Sequence, residues 1–122
     1  MKKILVAEDD KDLAEVMAVK LQMEGFEVEK CYDGTTVLEK ISSFAPDLLV
    51  LDVMLPDIDG VSLTKKIRGK ESTKSVPIII LTGKIGVKEL FSSSDELAIS
   101  AYFQKPVLLS TLLAKIKELL GE

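Results

Sequence analysis

Histidine is absent from this chain of 122 residues. That absence removes His-based catalytic triads, histidine metal sites and any phosphohistidine on the chain, so a histidine in its chemistry must arrive on a partner. Cysteine is nearly absent: Cys31 stands alone, which rules out an intramolecular disulfide and fits a reducing cytoplasm. No stretch approaches the ~20 apolar residues of a membrane-spanning helix, so no membrane insertion is expected. An apolar strand pattern begins directly after Met1-Lys2-Lys3, too soon for a secretory leader. Positive charge is not in excess. Sixteen Lys and Arg against 20 Asp and Glu give a net charge of −4, the wrong balance for a nucleic-acid surface, which needs a basic face.

What is present is ordinary for a soluble globular protein, with 47% hydrophobic and 30% charged residues. The length predicts one domain, 1–122, able to bury a single core. There is no internal repeat, low-complexity tract or interdomain linker. Four apolar stretches each run straight into polar residues. Ile4-Leu5-Val6-Ala7 stops at Glu8-Asp9-Asp10, and Leu48-Leu49-Val50-Leu51 at Asp52. Pro77-Ile78-Ile79-Ile80-Leu81 stops at Thr82, and Tyr102-Phe103 at Gln104-Lys105. Such runs read as buried parallel strands.

Helical patterns alternate with them. The first spans about Lys11 to Glu24, with Leu13, Met17 and Leu21 on one face, Asp10 as N-cap and Gly25 just past its end. A second strand from Phe26 to about Lys30 leads into an Asp33-Gly34 turn and a helix from about Thr35 carrying Val37, Leu38 and Ile41. Pro46-Asp47 ends it. A third helix is expected from about Val61 to Arg68 and a fifth strand over Ala101 to Phe103. The last helix starts at Ser110 as N-cap, buries Leu112, Leu113, Ile116, Leu119 and Leu120, and stops at Gly121. Alternating strands and helices with short connections predict an α/β fold whose parallel sheet is covered on both faces by right-handed crossovers.

Ligands of open α/β sheets bind outside the carboxyl ends of the strands. Glu8, Asp9 and Asp52 meet there if their strands are neighbours, and crowded carboxylates raise one another's pKa or recruit a cation. Mg²⁺ prefers such a site, with one or two carboxylates and several retained waters. Taken alone, the Glu8–Asp9 pair fits a cap or turn role as well as a site. Asp10, Asp57 and Asp59 read as a cap and two turn residues. Asp52 is different, because an aspartate directly extending Leu-Leu-Val-Leu is costly to bury without a partner. Lys105, just behind a buried strand, differs likewise from solvated surface lysines such as Lys2, Lys3 and Lys117.

Five motifs together resemble the receiver domain of two-component response regulators, in the style of the single-domain chemotaxis regulator. They are Ile4 to Asp10, Leu48 to Pro56, Asp59-Gly60, Ile80-Leu81-Thr82 and Lys105-Pro106, and they span essentially the whole chain. The resemblance implies a flavodoxin-like sheet of order 2-1-3-4-5 with five helices; the chemotaxis regulator is itself a standard example of that order. It implies that Asp52 accepts a phosphoryl group from the phosphohistidine of a sensor histidine kinase or histidine phosphotransfer protein. Mg²⁺ would be held by Asp9, Asp52 and the Met54 backbone carbonyl, with Glu8 mostly through water. Lys105 would pair with the phosphoryl oxygens, and Lys105-Pro106 is a candidate cis bond. Thr82 would hydrogen-bond the phosphoryl group, and Tyr102 holds the aromatic switch position, although a strand aromatic packing on a neighbouring helix would look the same. Hydrogen bonds to charged groups contribute ~1.5–3 kcal/mol each. Two of them approach the ~5.5 kcal/mol that carries a two-state population from 1:99 to 99:1.

On the first helix, Val16, Val19 and Met23 form a second apolar stripe. The resemblance makes it a docking face for the histidine donor; the plain alternative is an edge of the core. The chain departs from its relatives between Thr82 and Lys105. Gly83-Lys84 follows the threonine, with Lys84 where side chains influence acyl-phosphate lifetime, and Ile99-Ser100-Ala101 stands where a Gly-Ala pair is usual. Serines 92 to 94 weaken a long fourth helix, so a short or mobile one is expected, in two pieces with Asp95 capping the second. An altered, unknown downstream partner, or none of the usual dimerisation, follows, because the face of the fourth helix, fifth strand and fifth helix is the family's usual output surface. The expected activity is confined to the chain's own phosphorylation and dephosphorylation, in the cytoplasm. Three rivals compete. A small Mg²⁺-dependent Asp-nucleophile phosphatase would carry a second aspartate where Met54 stands. A flavodoxin-like carrier would not put Glu8-Asp9-Asp10 in a phosphate loop. A receiver-like binding module without phosphorylation would have no need of the full motif set.

Overall fold

The computed structural model of the chain describes residues 1–92 and 97–122. Strands and helices alternate: β1 (Lys3–Ala7), α1 (Lys11–Met23), β2 (Glu27–Cys31), α2 (Gly34–Ser43), β3 (Leu48–Leu51), α3 (Gly60–Arg68), β4 (Ile78–Thr82), α4 (Lys88–Ser92), β5 (Ala101–Gln104) and α5 (Leu109–Leu120). The strands form one sheet in the order β2-β1-β3-β4-β5, and every neighbouring pair is parallel.

The continuous apolar runs follow from burial on both sides, because successive side chains of a strand point to opposite faces. Leu5, Ala7, Leu49, Leu51, Ile78 and Ile80 pack with Val37, Ile41, Leu63, Ile67 and Phe91 from α2, α3 and α4. Ile4, Val6, Leu48, Val50, Ile79 and Leu81 pack with Met17 and Leu21 of α1 and with Leu112 and Ile116 of α5. Each Leu or Ile so buried contributes about 1.5–3 kcal/mol relative to exposure. A truncation such as Ile79→Ala is expected to cost about 2–5 kcal/mol.

The caps largely follow local chemistry. Asp10 accepts from the Leu13 amide at 3.1 Å and starts α1, and the chain leaves that helix through Gly25 at φ +94°. Asp33 accepts from the Thr36 amide at 2.7 Å, so α2 begins at Gly34, one residue before the expected start. Strand β2 lies one residue later than expected. The expected N-cap at Ser110 is corrected. α5 is entered through Leu108, which has no side-chain cap bond, and Ser110 lies inside the first turn. Lys3 also departs from expectation, since it is half-buried and donates to the Phe44 carbonyl at 2.9 Å. The fourth helix is described over Lys88–Ser92, up to the edge of the described residues. The expected cap at Asp95 lies outside the described residues.

Candidate functional site

Register brings the polar strand ends together. Ala7 pairs with Leu51, so Glu8 and Asp52 leave β1 and β3 side by side, and the Asp52 amide donates to the Ala7 carbonyl at 2.9 Å. Leu51 pairs with Ile80 of β4, and Thr82 lies two residues beyond. Thr82 pairs with Gln104, and the Lys105 amide donates to the Thr82 carbonyl at 2.8 Å. Four strands thus deliver Glu8, Asp9, Asp52, Thr82 and Lys105 to one edge of the sheet.

Two of these carboxylates are withdrawn from water. Glu8 is 1% and Asp52 4% exposed, while Asp9 reaches solvent. One carboxylate oxygen from each of the three lies within 4.8 Å of the others. Lys105 bridges the buried pair, donating to Asp52 Oδ2 at 2.9 Å and to Glu8 Oε1. The remaining oxygens have partners too: the Asp10 amide donates to Glu8 Oε2 at 3.1 Å and the Met54 amide to Asp52 Oδ1 at 2.9 Å. Burial pushes the Glu8 carboxyl up to about 7 and the Asp52 charge adds to that, against the opposing pull of Lys105 and the Asp10 amide. Burial alone would lower Lys105, but its bonds to Glu8 and Asp52 outweigh it and hold the ammonium above its ordinary value.

Three carboxyl groups gather around a single ammonium, an acidic excess that a divalent cation would offset. The donors are all hard oxygens with an open, solvent-facing member in Asp9, a set that suits Mg²⁺ and not a soft thiophilic metal.

The other candidates lie around this cluster. Thr82 is fully buried, and its Oγ1 accepts from the Lys84 amide at 3.2 Å. Tyr102 is half-buried against the cluster that contains Val87 and Phe91, and burial with the Glu89 charge raises its pKa. Met54 is half-exposed beside Asp52. Val16, Val19 and Met23 lie apart from the carboxylates on α1 and are 52%, 42% and 77% exposed, more than an edge of the core would be. The Lys105-Pro106 bond is cis.

Two residues escaped the sequence reading. Asp57, expected as a turn former, accepts from the Gly34 amide (2.6 Å), the Thr35 amide (2.9 Å) and the Thr35 hydroxyl (2.6 Å), bonds that lower its pKa to about 2. It ties the loop after β3 to the start of α2, and its partners are 22 and 23 residues away, beyond any local pattern. Arg68 at the end of α3 donates to the carbonyls of Lys74, Val76 and Ala98 at 3.0, 2.8 and 2.9 Å. In the sequence it marked only the end of the third helix. Asp59 is a helix cap, accepting from the Ser62 amide at 2.9 Å. No helix among the described residues is long and apolar enough to cross a membrane.

Comparison with known proteins points the same way. Residues 4–117 match the sequence pattern of the response regulator receiver domain. Over 118 residues the chain is 38% identical to response regulator MprA of Mycobacterium tuberculosis, covering 97% of this chain and 50% of that protein. The chain spans about half the length of the curated relatives it matches. A solved receiver domain protein, described as CheY-like, from Methanospirillum hungatei JF-1 is similar at a TM-score of 0.89 and 32% identity, over 99% of this chain and 94% of that one. A two-component response regulator from Clostridium difficile is similar at 0.88 and 30%, over 100% and 98%.

Proposed function

Because the chain belongs to the response regulator receiver domain family, we propose that residues 1–122 act as one phosphorelay switch with Asp52 as its phosphoacceptor. Receiver domains are signalling proteins phosphorylated by histidine kinases, and they generally bind Mg²⁺ at an acidic pocket. In this reading an Asp52 carboxylate oxygen attacks the phosphorus of a phosphohistidine on a sensor histidine kinase or histidine phosphotransfer protein. The new P–O bond forms as the P–N bond breaks, and the electron pair leaves on the imidazole nitrogen of the partner. Asp52 is left as an acyl phosphate.

The residues around it position and neutralise. Lys105 already touches Asp52 Oδ2, so its ammonium is within reach of oxygens added to that carboxylate. Thr82 Oγ1 accepts from an amide and still has its own hydrogen to donate to a phosphoryl oxygen. Asp9, Asp52 and the Met54 carbonyl would hold Mg²⁺ directly and Glu8 through water. Bound there, the ion would offset the charge that gathers on the transferred group. Tyr102 would follow Thr82 inward, carrying the change to β5 and α5. Val16, Val19 and Met23 offer the donor's helices an exposed apolar stripe on α1. A downstream protein would read the surface of α4, β5 and α5, where the unusual Gly83-Lys84 and Ile99-Ser100-Ala101 stretches argue for a partner fitted to this chain. A cytoplasmic setting suits the unpaired, buried Cys31.

The observation that carries the reading is a buried aspartate bridged by a lysine, with two further carboxylates within 4.8 Å at the same sheet edge. Mass spectrometry after incubation with acetyl phosphate and Mg²⁺ tests it. One alkali-labile phosphoryl addition, absent in Asp52→Asn, is expected. No addition to the wild-type chain would favour a binding module without phosphorylation, and turnover of an unrelated phosphomonoester would favour a phosphatase.

A further inference from the structure

The loop between β3 and α3 borders the carboxylate cluster, and its two ends are held by close contacts. At its start the Met54 amide donates to Asp52 Oδ1 at 2.9 Å. At its end Gly60 lies against Val53: a Cβ added there would fall 2.5 Å from Val53 Cβ and 2.7 Å from its Cα, and the Gly60 amide donates to the Val53 carbonyl at 3.3 Å. Only a residue without a side chain closes the loop so tightly.

Its middle is held from outside. Asp57 spends both carboxylate oxygens on the first two residues of α2, through the three bonds of 2.6, 2.9 and 2.6 Å to Gly34 and Thr35. This is not a cap the helix lacks, because Asp33 already accepts from the Thr36 amide. The approach is tight here as well: a Cβ on Gly34 would stand 2.8 Å from Ile58 Cβ and 3.2 Å from Asp57 Oδ1. A glycine on the helix and an aspartate on the loop therefore fit one another across 23 residues of sequence.

We propose that Asp57, docked on Gly34 and Thr35, is a positioning residue that sets where the Met54 carbonyl stands for the divalent cation. The inference rests on the reading above, in which that carbonyl joins Asp9 and Asp52 as a ligand. A carbonyl is a directional donor whose place is that of its backbone; the Met54 amide is held on Asp52, and a second anchor three residues on, at Asp57, fixes the peptide planes between them. Partners that hydrogen-bond directly to metal ligands are worth about 10–100-fold in metal affinity; Asp57 acts one step further out, through the backbone, so the lower end of that range is expected.

Isothermal titration calorimetry with MgCl₂ on the full chain, well below its melting temperature, measures this directly. Asp57→Ala is expected to weaken Mg²⁺ binding about tenfold, and to speed amide hydrogen exchange at Met54. Thr35→Val, which deletes one bond and no charge, should lower affinity in the same direction by less. Gln at position 57 cannot match the short reach, whereas Asp57→Asn keeps one acceptor oxygen and should recover part of the affinity. Unchanged Mg²⁺ affinity in a folded Asp57→Ala, or in Thr35→Val should the alanine variant not fold, overturns the proposal even if melting temperature drops. Wild-type chain that takes up no Mg²⁺ overturns this proposal and the site reading together, whereas normal wild-type binding that is lost in Asp52→Asn but indifferent to position 57 overturns this one alone.

Discussion

Two stretches leave neighbouring strands at the same edge of the sheet and are held by different balances of contact, although Val53 and Leu55 of the first are also buried on the core and Arg68 also bonds the Ala98 carbonyl in the second. The loop after β3 is fixed by directional bonds: Met54 to Asp52, Asp57 to Gly34 and Thr35, Asp59 to Ser62. The stretch after β4 is seated by apolar side chains, with Val87, Phe91 and Leu97 each about 2–3% exposed on the core. Hydrogen bonds fix the position of atoms, whereas apolar burial fixes a segment to a surface with little preference for its angle. The first arrangement suits the coordination of a small ion. The second would suit the proposed switch, in which Thr82 and Tyr102 move on phosphorylation.

The largest expected effect separates the two. Phe91→Ala should cost about 3–5 kcal/mol of stability, seen as a lower urea midpoint, while Mg²⁺ affinity stays close to wild type. Asp57→Ala should lower Mg²⁺ affinity with a smaller loss of stability than Phe91→Ala, and equal effects of both variants on both measurements would break the comparison. A smaller effect is expected from pH, and it belongs to the polar side. Burial holds the Glu8 proton to about 7 in the folded chain, against 4.5 for an ordinary glutamate. Between those values the folded state binds more protons than the unfolded one, so in metal-free buffer stability falls as pH rises through that window. Urea titrations at pH 5 and pH 8 should show the fall, and Glu8→Gln should flatten it. A profile in Glu8→Gln as steep as that of wild type would assign the slope elsewhere. The smallest effect on the molecule itself should come from a face that neither stretch uses. Val19→Asp, on the exposed stripe of α1, should change stability by no more than about 0.5 kcal/mol. It should nevertheless slow phosphoryl transfer from a histidine kinase and leave modification by acetyl phosphate intact; equal slowing with both donors would count against docking there.

The same contrast runs through what could be read in advance. Strand β3 was legible because Leu-Leu-Val-Leu bounded by Pro-Asp and Asp has few other homes, and Asp52 stood out as a charge with no exposed strand to sit on. Asp10 was legible as a cap because its partner is three residues away. Asp57 and Arg68 were not, since both bond to groups brought near only by the packing of separate elements. Ser110 misled because residue type alone suits it to a cap, whereas the helix begins at Leu109 and takes Ser110 into its first turn.

The order of apolar runs and their polar endings was enough to determine a parallel α/β sheet and the residues that gather at its edge, because strand burial and chain period act over a few residues at a time. Tertiary structure alone decided that Lys105 bridges Glu8 with Asp52, that Glu8 keeps its proton so far up the pH scale, and that Asp57 closes on Gly34. Each of these depends on distances of a few ångströms between groups far apart in the chain, and Coulomb and hydrogen-bond energies change steeply over such distances.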